Sequence, residues 1–263
     1  MSPTALIRKP ALGLAVAVAL AVPPPAVVAG EALIAVAANF THAAERLVHE
    51  FEQRHDHRII MTTGSTGRLF AQISNGAPFD AFLSADRKHP VRLEQDMLIL
   101  PGSRFTYAVG RLVLLSKHGH RIEETGASMM VDPSVRRIAI ANPALAPYGE
   151  AALETIEVAG LTSTVEPKLI FAESVGQVYA FVQTANVELG FVALSQVSNR
   201  PDARVGAGWT VPEEYHDPIV QDAVLTLRAR GNQAAAAFFE FLKGEAARDI
   251  IREFGYDLPG DDV

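Results

Sequence analysis

Residues 58–73 read RIIMTTGSTGRLFAQI, and this stretch contains the elements of one β-α unit. Arg58 to Thr63 is rich in β-branched residues, which is typical of a strand. From Leu69 onward, apolar residues recur at helical spacing. The turn between them is built from small and hydroxyl-bearing residues. Backbone N–H groups at a helix start have no intrahelical partner and the helix dipole attracts negative charge, so this turn predicts an anion site.

The same unit occurs on both sides of this stretch. Upstream, the apolar strand Leu33 to Ala37 leads through Ala38-Asn39-Phe40 into a helix that begins at Thr41. Downstream, the buried strand Asp80 to Ala85 precedes a helix over Arg87 to Gln95. Three consecutive β-α units predict a largely parallel sheet with helices on both faces.

A second β-α series follows, and two long extended segments, Phe105 to Ser116 and His216 to Arg228, bracket it. If both segments cross between domains, lobe 1 consists of residues 31–107 and 218–263, and residues 108–217 form an inserted lobe 2. The predicted fold class is therefore α/β with two lobes, each a mixed or mostly parallel sheet flanked by helices. The two crossover strands would act as a hinge around a cleft.

The composition excludes several classes of protein. The 263 residues are 49% hydrophobic and 20% charged, which is enough apolar material for two globular domains. The net charge of −7 predicts neither nucleic acid nor an anionic membrane surface as a partner. The absence of cysteine excludes disulfides, thiolate metal sites and cysteine nucleophiles.

Residues 1–29 have the pattern of a cleavable Sec-type signal peptide. Arg8 and Lys9 precede an apolar run from Ala11 to Val22, and small residues end at Ala29. A membrane anchor is the alternative, but the run is short for a span and prolines end it. Cleavage removes the two basic residues and no acid, so the charge of −7 becomes −9. An acidic, cysteine-free, exported chain is typical of a bacterial periplasm.

The second series offers two more helix starts of the same kind. Pro147 opens a helix in which the backbone N–H of Tyr148 would point off the end. Ser174 would cap another helix and leave the N–H of Val175 free. Each turn alone could be an ordinary helix start. Together with the turns at residues 38–40 and 62–67, these two helix starts give four N-termini. If all four point into one cleft, where ligands of open α/β sheets bind, they would hold a dehydrated oxyanion with neutral donors.

Other kinds of site receive little support from the sequence. The turn at residues 62–67 lacks the lysine and the spacing of a P-loop, and no G-x-S-x-G elbow occurs. His55 and His57 are the densest histidine group, but we expect them in a solvated surface loop rather than in a metal site. A secreted enzyme would have to pair Ser65 or Thr66 with His42 or His89, and only the presence of these residues suggests it.

Several motifs together resemble those of the periplasmic molybdate-binding proteins of molybdate ABC importers. The match keeps its order over nearly all of the chain after residue 29. The residues that carry it are Ala38-Asn39-Phe40, Thr63-Gly64-Ser65-Thr66-Gly67, Asn75-Gly76-Ala77-Pro78-Phe79-Asp80, Ser84-Ala85-Asp86, Pro101-Gly102-Ser103-Arg104-Phe105-Thr106-Tyr107, Ala146-Pro147-Tyr148-Gly149, Ser174-Val175-Gly176-Gln177 and Leu189-Gly190-Phe191-Val192-Ala193-Leu194. The resemblance implies a two-lobed type II periplasmic binding protein.

The resemblance also implies a ligand set without metal ions or charged side chains. The molybdate-binding positions that it places on this sequence are Ala38, Asn39, Ser65, Thr66, Tyr148 and Val175. Tyr148 and Val175 match backbone N–H donors, and Asn39 could add its side-chain amide. Ala38 stands where the similar branch has a threonine, so one hydroxyl donor is missing. Ala193 likewise replaces a tyrosine whose hydroxyl is a donor in the enteric branch.

The function that these expectations favour is capture of molybdate or tungstate for import. The protein would be a periplasmic monomer that is not an enzyme, needs no cofactor and delivers its anion to a molybdate ABC permease in the inner membrane. The alternative is a binding protein of the same fold for sulfate, phosphate or another tetrahedral oxyanion. In that case Arg68 and Arg104 could supply positive charge to the cleft.

Overall fold

The computed structural model describes residues 30–116, 122–198 and 208–260. The signal peptide predicted for residues 1–29 lies outside these residues. Within them, the structure contains no helix that is both long and apolar enough to cross a membrane.

The strands and helices alternate over most of the chain. The strands are β1 Glu31–Ala37, β2 Arg58–Gly64, β3 Ala81–Leu83, β4 Phe105–Gly110, β5 Leu112–Ser116, β6 Ile138–Ala141, β7 Leu169–Ala172, β8 Leu189–Ala193, β9 Gly208–Thr210 and β10 Ile219–Leu225. The α-helices are α1 Thr41–Glu52, α2 Thr66–Ser74, α3 Lys88–Gln95, α4 Ile122–Thr125, α5 Pro147–Val158, α6 Thr162–Val165, α7 Val175–Gln183, α8 Gln233–Lys243 and α9 Glu245–Glu253.

The strands form two separate five-stranded sheets. In lobe 1 the order is β2-β1-β3-β10-β4, where β1 runs parallel to β2 and β3 while β10 is antiparallel to β3 and β4. In lobe 2 the order is β7-β6-β8-β5-β9, with β6 parallel to β7 and β8 and β5 antiparallel to β8 and β9. Two mixed sheets flanked by helices confirm the predicted α/β, two-lobed fold class.

Apolar side chains from the helices cover the sheets. In lobe 1, Phe51 of α1 packs edge-on against Phe238 of α8 on one face, and Leu69 of α2 lies with Phe82 on the other. Phe191 of β8 is fully buried in the core of lobe 2. Burial of each such side chain stabilises the fold by about 1.5–3 kcal/mol. The sheets therefore support the loops that follow their strands.

The chain crosses between the lobes twice, and the two crossings differ. The first is short: β4 ends at Gly110 in the sheet of lobe 1 and β5 begins at Leu112 in the sheet of lobe 2. The return runs over residues 211–218 and contains a short 3-10 turn, Glu213–Tyr215. Of the predicted extended stretch His216 to Arg228, β10 occupies Ile219–Leu225, and a short 3-10 turn follows at Leu227–Ala229. The division at residues 107/108 and 217/218 stays a prediction.

Candidate functional site

The two lobes touch at the carboxyl ends of their parallel strands. The backbone N–H of Gly67 at the start of α2 donates to the carbonyl of Leu145 at 2.9 Å. On the far side, Ser195 Oγ donates to the carbonyl of Asn39 at 2.8 Å. An ion pair between Arg68 and Glu173 also spans the lobes. The structure is thus that of a closed cleft.

Lobe 1 contributes two turns to this cleft. The 3-10 turn Ala38–Phe40 follows β1 directly, and α2 begins at Thr66 at the end of β2. Because β1 and β2 pair in parallel up to Ala37 and Gly64, both turns emerge at one edge of the sheet. The Thr66 hydroxyl oxygen accepts the N–H of Ala85 at 3.1 Å, which leaves the hydroxyl hydrogen available to a ligand.

Ser65 has a buried hydroxyl group that makes no hydrogen bond to any residue that the structure describes. It occupies the N-cap position of α2 in extended conformation, but its side chain makes no capping bond. Ser65 is only 2% exposed. In the part of the chain that the structure describes, its Oγ is the one buried side-chain polar atom without a hydrogen-bond partner. Leaving such a group unsatisfied costs about 1–3 kcal/mol, so a bound acceptor is expected beside it.

Lobe 2 contributes the starts of two α-helices. In α5, Pro147 occupies the first turn and Tyr148 follows it, with no side chain capping the helix. Gly149 is required here, because a Cβ at this position would lie 2.1 Å from the carbonyl oxygen of Ala141. This close approach holds the start of α5 against the end of β6, and the N–H of Tyr148, in the first turn, has no partner within the helix.

The start of α7 faces the first turn of lobe 1 across the cleft. Ser174 caps α7 by accepting the N–H of Gln177, which leaves the first helical N–H, that of Val175, without a partner in the helix. A Cβ placed on Gly176 would lie 3.6 Å from the Cβ of Ala38. The structure therefore brings together the helix starts that carry the six predicted positions.

The side chain of Asn39 does not have its predicted role. Its amide nitrogen donates to Gln221 Oε1 at 2.8 Å and to the hydroxyl of Tyr256 at 3.0 Å. Both amide hydrogens are therefore used inside the protein, and the expectation that they reach a ligand is corrected. Asn39 still places its backbone N–H at the start of the turn, where a helix leaves such groups free.

A buried polar network surrounds the Asn39 amide, and the sequence patterns did not reveal it. The Tyr107 hydroxyl donates to Gln221 Oε1 at 3.0 Å, and Gln221 Nε2 lies 3.4 Å from the Tyr148 hydroxyl. The Tyr256 hydroxyl lies 2.9 Å from Ser195 Oγ. Burial raises the pKa of the Tyr107, Tyr148 and Tyr256 hydroxyls well above their usual value, so all three stay neutral.

The two arginines considered as charge donors to the cleft are held by carboxylates. Arg104 donates to Glu94 and to the buried Asp222, both at 2.9 Å. Its pKa is raised by the hydrogen bonds to Glu94 and then Asp222. Arg68 pairs with Glu173. The six predicted positions themselves carry only neutral amide and hydroxyl hydrogens.

Neither histidine of the enzymatic alternative is bonded to the cleft hydroxyls. His42 lies 3.2 Å from Glu45, and His89 lies 2.6 Å from Asp86. The described residues contain no group of three side chains suited to a metal ion. His57 differs from the expectation of a solvated ring, because it is buried and its Nδ1 accepts the N–H of Gly30 at 3.1 Å.

Residues 32–257 match the family described as bacterial extracellular solute-binding protein. The molybdate-binding protein ModA of Azotobacter vinelandii is 43% identical over 230 residues, covering 88% of this chain and 91% of the relative. ModA of Rhodobacter capsulatus is 42% identical over 250 residues, covering 95% and 96%. The solved structure of the Azotobacter vinelandii periplasmic molybdate-binding protein superposes with a TM-score of 0.82 at 38% identity, covering 87% of this chain and 99% of that one. These matches confirm the resemblance inferred from the motifs.

Proposed function

Because the chain belongs to the family of bacterial extracellular solute-binding proteins, we propose that it captures molybdate or tungstate in the periplasm for import. The relatives named molybdate-binding protein support the choice of ligand, since they span both lobes at over 40% identity. The anion would pass to a molybdate ABC permease in the inner membrane. On this proposal the protein acts as a monomer after its signal peptide is cleaved, and it performs no reaction.

The observation that carries the proposal is the buried, unpartnered hydroxyl of Ser65 at a closed junction of helix starts. We assign the anion to the space between Ala38, Asn39, Ser65, Thr66, Tyr148 and Val175. Backbone N–H groups of Asn39, Tyr148 and Val175 would donate from three helix starts, and the hydroxyls of Ser65 and Thr66 would donate from the fourth. Hydrogen bonds to an ion contribute about 1.5–3 kcal/mol each, so a few of them suffice for tight binding.

Neutral donors suit a dianion on an acidic protein. Donors within hydrogen-bond distance act at short range, whereas the field of distant surface carboxylates is screened within about 8–10 Å at ordinary salt. Size selection follows from rigidity. An oxyanion that is too small cannot reach donors of both lobes at once, and each donor left buried and unpaired weakens its binding.

Titration calorimetry with molybdate, tungstate, sulfate and phosphate on the chain without residues 1–29 tests the ligand. We expect tight binding of the first two anions and weak or no binding of the smaller two. Sulfate and phosphate remain the alternative ligands of this fold. Tight sulfate or phosphate binding without molybdate binding would establish that alternative and reject the proposal.

Removing the Ser65 hydroxyl should weaken molybdate binding without weakening the fold. In Ser65→Ala the anion loses a charge-assisted hydrogen bond, so its Kd should rise about 10- to 150-fold. The ligand-free protein loses only an unsatisfied buried group, so its melting temperature should stay equal or rise. Ser65→Thr, which keeps a hydroxyl, serves as the matched control. Equal molybdate affinity in Ser65→Ala and the parent would remove Ser65 from the site.

A hydroxyl at position 38 should strengthen binding. Gly176 faces Ala38 without a side chain, which leaves room for a larger residue in the turn. Ala38→Thr adds a donor to the anion and should lower the Kd for molybdate by about tenfold or more. Ala38→Val has the same shape without the hydroxyl, and calorimetry should show no such gain. An equal gain in both variants would mean that packing, not a hydrogen bond, is responsible.

A further inference from the structure

Two ion pairs cross the mouth of the cleft, and both have the same polarity. Arg68 of lobe 1 pairs with Glu173 of lobe 2. On the other flank, the ammonium of Lys88 in lobe 1 lies 3.6 Å from the carboxylate of Glu150 in lobe 2. The basic partners therefore stand on lobe 1 and the acidic partners on lobe 2.

Three of these four residues lie two positions from a proposed donor in the sequence. Arg68 lies two residues after Thr66, and Lys88 begins α3. Glu150 belongs to the first turn of α5, and Glu173 immediately precedes the N-cap of α7. The two ion pairs therefore flank the proposed site at the junction of the lobes.

The flank beside Lys88 remains open in the closed structure. A cavity of about 250 Å³ lies between the lobes there. The charged side chains around it are Asp86, Arg87 and Lys88 from lobe 1 and Glu150, Glu154 and Asp217 from lobe 2 and the return crossing. Its wall also includes Ala85 and Pro147, which neighbour the proposed donors. Its lobe 1 side thus carries two cations and one carboxylate, and its other side carries three carboxylates.

We propose that Arg68 and Lys88 make lobe 1 the lobe that captures the anion, and that Glu173 and Glu150 then draw lobe 2 shut on these same two cations. This inference rests on the proposed function, since it assigns the order of capture and closure to that site. When the lobes are apart, the cations of lobe 1 are unpaired and attract a dianion that the acidic protein otherwise repels. The acidic rim of lobe 2 keeps the anion off that lobe.

Closure changes the state of these charges. Once the lobes meet, each cation is neutralised by a carboxylate, and the anion is left with neutral donors only. Exposed ion pairs are individually weak and often contribute nothing measurable, so an inert pair is the competing explanation. The two explanations predict different kinetics. Removing an inert ion pair changes neither rate. On our proposal, removing the cations slows association, and removing the carboxylates speeds dissociation.

The experiment measures the association and dissociation rates of molybdate, and it uses the closure of the two lobes as the signal. The chain has no cysteine, so Gln53→Cys and Ser163→Cys, exposed positions on opposite lobes, can carry a fluorescent donor and acceptor. In Arg68→Ala with Lys88→Ala, association at low salt should slow by about threefold or more, and the difference should vanish at high salt. In Glu150→Gln with Glu173→Gln, association should not slow, while dissociation should quicken by about threefold or more.

A charge-matched control distinguishes the local effect of Arg68 and Lys88 from the effect of the protein's net charge. Arg46→Ala with Arg252→Ala also removes two cations, each paired within its own helix, and should leave both rates unchanged. The inference would be overturned if association slowed as much in this control as in Arg68→Ala with Lys88→Ala. It would also be overturned if dissociation were unchanged in Glu150→Gln with Glu173→Gln. Failure of the proposed function is distinguishable, because the labelled parent itself would then show no closure with molybdate.

Discussion

Replacing Val175 by proline should weaken molybdate binding by about 10- to 150-fold while leaving the fold intact, because it removes one charge-assisted N–H donor. Proline is tolerated in the first turn of a helix, where its missing N–H has no partner in any case. Ser174 has φ −147° and ψ 163°, an extended conformation that suits a residue before proline. The substitution therefore removes the proposed donor while α7 can still begin at the same residue.

Val175→Ala is the matched control for this substitution. Val175 is buried in lobe 2, and alanine loses more of its packing than proline does while it keeps the backbone N–H. Calorimetry should therefore show near-parental affinity for Val175→Ala and a large loss for Val175→Pro, with similar melting temperatures for the ligand-free proteins. Equal affinities in the two variants would show that the Val175 N–H does not contact the anion.

Local signals explain why the helix starts could be placed from sequence. Proline in the first turn located the beginning of α5 at Pro147, which is where the helix is observed to begin. Ser174 was predicted as a small cap and does cap α7. Such signals act between residues a few positions apart, so they are visible in one sequence. The position of a turn at the end of a parallel strand then follows from the β-α alternation.

Contacts between residues far apart in the sequence could not be predicted in this way. Asn39 bonds Gln221 across 182 positions, and no spacing rule relates two such polar residues. The Asn39 amide was therefore assigned to the ligand, although two buried partners, Gln221 and Tyr256, accept its hydrogens. The placement of β10 between β3 and β4 is a similar case, because strand order depends on pairing partners rather than on the pattern of one strand.

The Asn39–Gln221 network approaches the first crossing closely at Gly110. Gly110 ends β4 directly before the chain enters lobe 2, and Tyr148 of lobe 2 packs onto it in the closed structure. A Cβ on Gly110 would lie 2.1 Å from the Tyr148 hydroxyl oxygen and 2.7 Å from Gln221 Nε2. The absence of a side chain at position 110 is therefore a condition for Tyr148 to reach its closed position.

Gly110→Ala should accordingly disfavour closure. Overpacking of a filled interior costs about 1–3 kcal/mol, which corresponds to an increase of about 5- to 150-fold in the Kd for molybdate. In an open form Tyr148 moves away with lobe 2, and the Gln221 amide, which then loses its contact with Tyr148, can turn away from the added Cβ. The ligand-free protein should therefore keep its melting temperature within about 2 °C. Calorimetry and thermal unfolding measure the two quantities separately. A large fall in the ligand-free melting temperature would contradict this explanation, since it would mean that the added methyl group strains the fold itself.

A second substitution tests whether the clash is with the Tyr148 hydroxyl. Tyr148→Phe removes that oxygen, and the next atom of the ring would lie 3.0 Å from the added Cβ, a contact that a small shift can relieve. Combining Gly110→Ala with Tyr148→Phe should therefore recover most of the affinity that Gly110→Ala loses, relative to Tyr148→Phe alone. Such a gain is non-additive and is expected of residues that are in contact or share one hydrogen-bond network. Additive losses would place the effect of Gly110→Ala in the strand itself and not in the docking of lobe 2.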